Sequence, residues 1–332
     1  MLLNKIVMNY PECKELVNKI INDYLANTRC DKRICSGMQY ILDGGKRLRA
    51  VLTLAILEKL QPHTWSDFKQ VCLVPEFIHS SSLVIDDLPA FDNALQRRGK
   101  KCVHLAKGEG LAYLLTFNLV TEAVLIIHNQ LPHLKKAYPA EEAYKQYEEQ
   151  IHNIITNISG QKALGGQLLS TFHTSGDTNL REMKNGRPPK LSREEICDIL
   201  YKKTSSFFEI SLVIGWIVGH GDMDKIKDVQ HMAELLGLCY QIYDDFVDYH
   251  EDVSESDHFS HNYVYHRGID TAYKEYFEYQ EKMTEKITEL GLSCPMFDYL
   301  NSFMNKKILK AKKSLKGERS FPRKLCEPRG CV

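Results

Sequence analysis

Two short acidic clusters hold the residues of this chain best suited to chemistry: Asp86-Asp87 with Asp92, and Asp244-Asp245 with Asp248. Each ends an apolar stretch, Ile78 to Leu88 and Leu235 to Val247, where unpaired carboxylates are costly. Asp244 and Asp248 are one helical turn apart and share a face, with Asp245 a step around it. In the first cluster Pro89 breaks regular helix and lets Asp92 fold back toward the earlier pair. Like charges this close repel and invite a cation, although either cluster alone also reads as a solvated helix end. Few hard oxygen ligands per ion suit magnesium completed by phosphate oxygens.

Basic residues supply the other half. Gly44-Gly45-Lys46-Arg47-Leu48-Arg49 sets a glycine turn before a helix whose start carries three cations, against the helix-dipole preference for acids there. Cations so placed imply a bound anion. Arg97-Arg98-Gly99 follows the first acidic cluster, where forked guanidinium groups grip phosphate oxygens in bidentate fashion. His79 lies on the apolar helix that enters Asp86, a position where a satisfied core histidine is the plainer reading. Lys203, flanked by Tyr201 and Phe207-Phe208, is a lysine beside apolar surface and needs a partner.

Helical periodicity dominates the segments that must position these groups, and no alternating β-branched runs argue for a sheet. Pro11 to Ala26, Leu48 to Leu60, Gln70 to Asp87, Leu111 to Gln130 and Glu141 to Gly166 read as helices. So do Ser192 to Gly219, Met223 to Tyr249, Ile269 to Leu290 and Ser293 to Leu315. The fold class expected is all-α, a single large helical bundle, with Gln70 to Asp87 at its centre. Thr174 to Leu191 and Ser254 to Asn262 are polar insertions, and no internal repeat or domain linker is evident. Residues 1–316 are taken as one domain and 317–332 as a basic, poorly ordered tail.

With 332 residues, 43% of them hydrophobic, the chain can bury a sizeable core. Lysine plus arginine and aspartate plus glutamate both total 43, so there is no net basic field of the kind nucleic-acid binding requires. The ten cysteines lack paired CxxC spacing and read as reduced thiols. No apolar run reaches the ~20 residues of a membrane span, and Asn4, Lys5 and Asn9 interrupt the N-terminal apolar start. A cytoplasmic location is expected.

Six motifs now stand in order: GGKRLR (Gly44 to Arg49), EFIHSSSLVIDDLPAFDN (Glu76 to Asn93), RRG (Arg97 to Gly99), GGQ (Gly165 to Gln167), KT (Lys203-Thr204) and YQIYDDFVD (Tyr240 to Asp248). In these the chain resembles the trans-type isoprenyl diphosphate synthases, specifically geranylgeranyl and bacterial-type farnesyl diphosphate synthases. The resemblance implies the isoprenoid synthase bundle with a central active-site cavity. It also implies condensation of isopentenyl diphosphate with dimethylallyl, geranyl or farnesyl diphosphate. By position, Lys46, Arg49, His79 and Arg98 would hold the isopentenyl diphosphate. Asp86, Asp92 and Asp244 would ligate three magnesium ions on the allylic diphosphate, with Asp87, Asp245 and Asp248 in support. Arg97 and Lys203 would contact that diphosphate, while Thr204 and Gln241 would face the nascent carbocation. A homodimer, or a heteromer with a related synthase, is the implied assembly.

The chain also departs from the family pattern. After Asp248 members usually carry lysines that help close over the allylic diphosphate, whereas this chain reads YHEDVSESDHFSHNY. Ser170 and Phe117 stand where many members have aspartate, and Ala94-Leu95-Gln96 replaces a commonly acidic stretch. A non-catalytic subunit paired with an active synthase, and a terpene cyclase on the same bundle, are therefore the competing functions. Ser81 and Ser82, about one turn before Asp86, leave the helix floor open, and members that stop at farnesyl resemble this chain except for an aromatic at Ser81. Geranylgeranyl diphosphate is the product expected.

Overall fold

The computed structural model describes residues 8–137, 141–156, 191–254 and 262–319. The GGQ motif, Ser170, almost all of the 174–191 loop and residues 320–332 of the tail lie outside them. Helices account for nearly every described element: α1 (Tyr10–Asn27), α2 (Lys32–Leu42), α3 (Leu48–Leu60), α4 (Trp65–Phe68), α5 (Leu73–Asp86), α6 (Val103–Lys107), α7 (Glu109–His128), α8 (Leu131–Ala137) and α9 (Glu141–Asn153). Then follow α10 (Arg193–Leu200), α11 (Ser206–Val218), α12 (Ile226–Val247), α13 (Tyr249–Ser254), α14 (Tyr263–Arg267), α15 (Ile269–Glu289) and α16 (Pro295–Arg319). A two-residue antiparallel hairpin, β1 (Gln96–Arg97) with β2 (Lys100–Lys101), is the only strand pair among the described residues. The all-α expectation holds.

Local chemistry explains the ends. α1 starts at a capping box, Asn9 with Glu12, and carries a proline in its first turn, where the missing N–H costs nothing. Ser192 and Glu195 form a second capping box at α10. The expected single helix from Ser192 to Gly219 is instead α10 and α11 joined by a π turn, Tyr201–Ser205, which holds Lys203 and Thr204. Gln70 to Asp87 likewise splits, into a 3₁₀ turn at Lys69–Cys72 and α5. α16 runs on to Arg319, past the boundary at 316.

The core centres on α11, all of whose 13 residues are buried. It packs on α3 and α12, α12 packs on α15 and α16, and α5 lies along α7. Gly237 of α12 faces the π turn so closely that a Cβ there would sit 2.2 Å from Ser205 Oγ. Glycine thus lets the backbone bearing Thr204 press onto the helix that carries the second acidic cluster.

Two expectations are corrected. Cys30 and Cys35 are joined as a disulfide that ties the loop after α1 to the start of α2, while Cys13, Cys72, Cys102, Cys197, Cys239 and Cys294 are free thiols. Glu109–Lys136 is long and apolar enough, by length and composition, to cross a membrane; 39% of its apolar window is buried inside this bundle. The apolar length here is used to cover α5 on one side, and Leu114 and Leu125 remain 59% and 47% exposed away from it.

Candidate active site

A cavity of about 990 Å³ opens between α3, α5, α7, α12 and the π turn. Ten of the sequence-predicted residues line it: Lys46, Arg49, His79, Asp86, Arg97, Arg98, Lys203, Thr204, Gln241 and Asp244. Residues up to 194 positions apart are brought to one wall, since Lys46 Nζ lies 3.3 Å from the Tyr240 hydroxyl.

The glycine turn builds the basic end. Gly44 and Gly45 have φ of 80° and 98°, a region that penalises any residue with a Cβ. A Cβ on Gly45 would lie 2.9 Å from the Arg98 guanidinium carbon, so the glycine leaves the space that Arg98 fills. Arg98 donates to the carbonyls of Ile41 (3.3 Å) and Gly44 (3.4 Å). Burial and the neighbouring Arg47 and Arg97 lower its pKa, with Glu76 and Asp43 opposing. Arg49 stacks over Phe208 at 4.8 Å and Phe207 at 5.6 Å, and its Nε has no partner. Burial lowers its pKa too, so the charge is held at a cost that an anion would offset. For Lys46, burial pulls downward but Tyr240 and Asp244 outweigh it, and the pKa is raised.

Arg47 does not join this set. The third cation of the motif is buried, donates to Asn18 Oδ1 (2.9 Å) and the Leu42 carbonyl, and pairs with buried Glu76 at 2.5 Å. That ion pair ties the turn to α5. His79 is edge-on to Phe207 at 5.6 Å, and its Nδ1 is without a hydrogen bond. Burial, then Arg49, Arg98 and Arg97, hold its pKa well below the usual value, so the ring is neutral.

The first acidic cluster divides its labour. Asp86 faces the cavity with its pKa raised to about 6 by burial; Lys203 opposes the rise and Asp92 adds to it. The chain folds back after Pro89 as expected, with Asp92 N–H donating to the Asp86 carbonyl at 2.9 Å. Asp92 itself is exposed and is not on the cavity wall. Asp87, expected in support of the metal ligands, pairs with Arg97. Its buried carboxylate accepts from Arg97 Nε (2.8 Å to both oxygens) and lies 2.6 Å from Arg97 Nη2, fixing that guanidinium at the cavity rim.

The second cluster is organised around Asp245. Asp244 lines the cavity, its pKa raised by burial against the pull of Lys46. Asp245 is buried and accepts from Gln241 Nε2 (2.7 Å) and Tyr263 N–H (2.6 Å). The Gln241 amide so oriented accepts from the Thr204 hydroxyl at 2.7 Å. Thr204 spends its proton on Gln241, which leaves oxygen lone pairs for the cavity. Tyr240, missed from the sequence, sits one turn before Asp244 on the same face; that spacing was the available signal.

Do these residues fit magnesium? The donors are carboxylate oxygens, and no group of three or more metal-ligating side chains forms a cage among the described residues. One or two carboxylates per ion, completed by phosphate oxygens, is the magnesium pattern. Asp86 and Asp244, partly buried on the cavity wall and both with pKa values raised by burial, carry the uncompensated charge that such ions relieve. The set fits.

Comparison with known proteins follows the same line. The sequence pattern of the Polyprenyl synthetase family matches residues 31–258. The chain is 29% identical over 234 residues to Geranylgeranyl pyrophosphate synthase 10, mitochondrial, of Arabidopsis thaliana, covering 70% of this chain and 62% of that protein. It is 31% identical over 236 residues to Heterodimeric geranylgeranyl pyrophosphate synthase large subunit 1, chloroplastic, of the same plant, covering 70% and 58%. The match thus spans about three fifths of these relatives' lengths. Among solved structures, geranyltransferase from Helicobacter pylori, complexed with magnesium and isoprenyl diphosphate, superposes with a TM-score of 0.64 at 21% identity over 93% of this chain and 98% of that one. With its family pattern, helical bundle and paired acidic motifs all in place, this chain belongs to the polyprenyl synthetase family.

Proposed function

We propose that the protein is a prenyltransferase that condenses isopentenyl diphosphate with allylic diphosphates, with geranylgeranyl diphosphate as its main product. One observation carries this reading: a single cavity gathers Lys46, Arg49, Arg97, Arg98, Lys203 and His79 beside Asp86 and Asp244, and continues between apolar side chains of α5 and α7. Two anionic groups and one long apolar tail fit such a space.

Lys46, Arg49, Arg98 and neutral His79 bind the isopentenyl diphosphate. Asp86, Asp92 and Asp244 would hold magnesium, three ions in all, which when bound would supply charge stabilisation for the departing allylic diphosphate. Arg97, oriented by Asp87, and Lys203 add fixed positive charge at the same oxygens. Lone pairs on Thr204, set by Gln241 and Asp245, face the allylic cation. The isopentenyl double bond attacks that cation, and the proton lost from the adduct passes to the released diphosphate. No protein base is needed. Back-bonding of Ser81 to the Ile78 carbonyl and of Ser82 to the His79 carbonyl, both 2.9 Å, shields two hydroxyls at the wall that a tail must pass.

A second copy of the chain covers the exposed apolar face of α7 in this reading, giving a homodimer. Pairing with a related synthase is the second reading, favoured by the lack of lysine in the segment from Tyr249 to Tyr263 that follows Asp248. Purified protein incubated with magnesium, isopentenyl diphosphate and each allylic diphosphate should yield geranylgeranyl diphosphate. Cyclised hydrocarbon, or no product until a related synthase is added, would overturn the reading in favour of the cyclase or the subunit.

A further inference from the structure

The five residues of α14 pack against α12, the helix that carries the second acidic cluster. The N-cap of α14, Asn262, is 1% exposed, and all the hydrogen-bonding capacity of its amide nitrogen is used. Its Oδ1 accepts from Tyr265 N–H at 3.0 Å, which is the cap itself. Its Nδ2 reaches out of α14 and donates to the Asp245 carbonyl (3.1 Å) and to Asp252 Oδ2 (2.7 Å). Serine, threonine or aspartate would cap a helix as well, but among the usual cap residues only asparagine also carries two N–H donors. The next residue completes the contact: Tyr263 N–H donates to Asp245 Oδ2 at 2.6 Å. Tyr263 is anchored at its far end too, where its hydroxyl donates to Glu275 at 2.7 Å and Arg267 holds the same carboxylate.

Resting on the function proposed above, we infer that Asn262 is a positioning residue that fixes the direction of the Asp245–Gln241–Thr204 hydrogen-bond chain. A main-chain donor occupies Asp245 Oδ2, and Gln241 meets Oδ1 with its amide nitrogen at 2.7 Å. The Gln241 oxygen is then left to accept from the Thr204 hydroxyl, also at 2.7 Å. Were the Gln241 amide turned over, its N–H groups would face Thr204 and send the hydroxyl proton into the cavity, the wrong sign opposite a carbocation. Asn262 is not on the cavity wall and touches neither Gln241 nor Thr204. It acts by seating α14 on α12, so that Tyr263 N–H stays on the Asp245 carboxylate.

The test is a double-mutant cycle on turnover. Asn262→Asp keeps the cap oxygen but sets a carboxylate against the Asp245 carbonyl and Asp252, and should lower kcat at least about tenfold. The KM for isopentenyl diphosphate should stay within about twofold, since its cations are untouched. In a Thr204→Val background the same substitution should cost less than about twofold more, because the hydroxyl whose direction Asn262 sets is gone. Circular dichroism checks each fold; should Asn262→Asp fail to fold, Asn262→Ser, a cap without the new charge, carries the cycle. Wild-type kcat in the folded variant, or an equal loss with and without the Thr204 hydroxyl, overturns the assignment. Hydrogen–deuterium exchange reads the clamp without turnover. In the Asn262 variant the Tyr263 amide should exchange at least about tenfold faster while the capped Tyr265 amide keeps its protection. Unchanged exchange at Tyr263 overturns the clamp. A wild type that forms no prenyl product, with the expected exchange, would instead sink the proposed reaction while leaving the clamp standing.

Discussion

Asp86 is a carboxylate built into an apolar wall, and the wall resists its charge. Burial, with Asp92 adding and Lys203 opposing, raises its pKa to about 6. Replacing Asp86 or Asp244 with Ala should therefore abolish turnover while unfolding midpoints in metal-free buffer stay level or rise. Near-normal activity in either variant would remove these residues from the metal site. At the basic end of the cavity, Lys46→Ala and Arg98→Ala each delete a charge-assisted contact worth about 1.5–3 kcal/mol. The KM for isopentenyl diphosphate should rise roughly ten- to a hundredfold, with a smaller effect on the allylic substrate. Steady-state kinetics with each substrate varied separately checks this, and equal losses for both would mean that the two diphosphate subsites have been divided wrongly.

At the scale of the element, α5 carries both the Asp86 carboxylate and the serines that line the cavity before it. Ser81→Phe places a ring on the cavity wall about one turn before Asp86 and should shorten the product to farnesyl diphosphate. Chromatography of the products decides it, and an unchanged product at a comparable rate would place the stop elsewhere. The helices that carry the site were legible because apolar spacing and glycine breaks bound them: Leu48 to Leu60 has the limits read from its pattern. The π turn was not legible, since Tyr201–Ser205 has ordinary helical composition and its extra residue is selected by contact with α12. Nor was the fate of Arg47 or Asp87. Arg47 finds Glu76 29 positions away, and Asp87 is turned from the cavity by Arg97 across a hairpin. Residue type and order located the wall, whereas pairing across helices decided which charges remain free on it.

For the whole molecule, one half-buried acid outside the site makes stability depend on pH. Glu58 of α3 has its pKa raised to about 7 by burial, a backbone N–H from Met8 opposing, and its Oε1 has no partner. A folded-state value above the ordinary 4.5 means that the native protein binds this proton more tightly than the unfolded chain does. Ionisation therefore costs stability above about pH 7, and the cost disappears as pH falls toward 4.5. Urea unfolding of the wild type and Glu58→Gln should show the variant more stable at pH 8, with the difference shrinking by pH 5. A difference independent of pH would refute it.

The π turn has a consequence of a different kind. Each residue of an α-helix turns the chain by about 100°, so one extra residue between α10 and α11 resets the rotational phase of everything before it. Arg193 and Cys197 on α10 meet Tyr279 of α15 only in that phase. Deleting a single residue between 201 and 205 would restore regular helix, yet rotate α10 off its anchor or carry Lys203 and Thr204 away from the cavity. The segment is therefore intolerant of a change in length even where it would accept changes of side chain, and a family of length variants should be far less active than a matched family of substitutions.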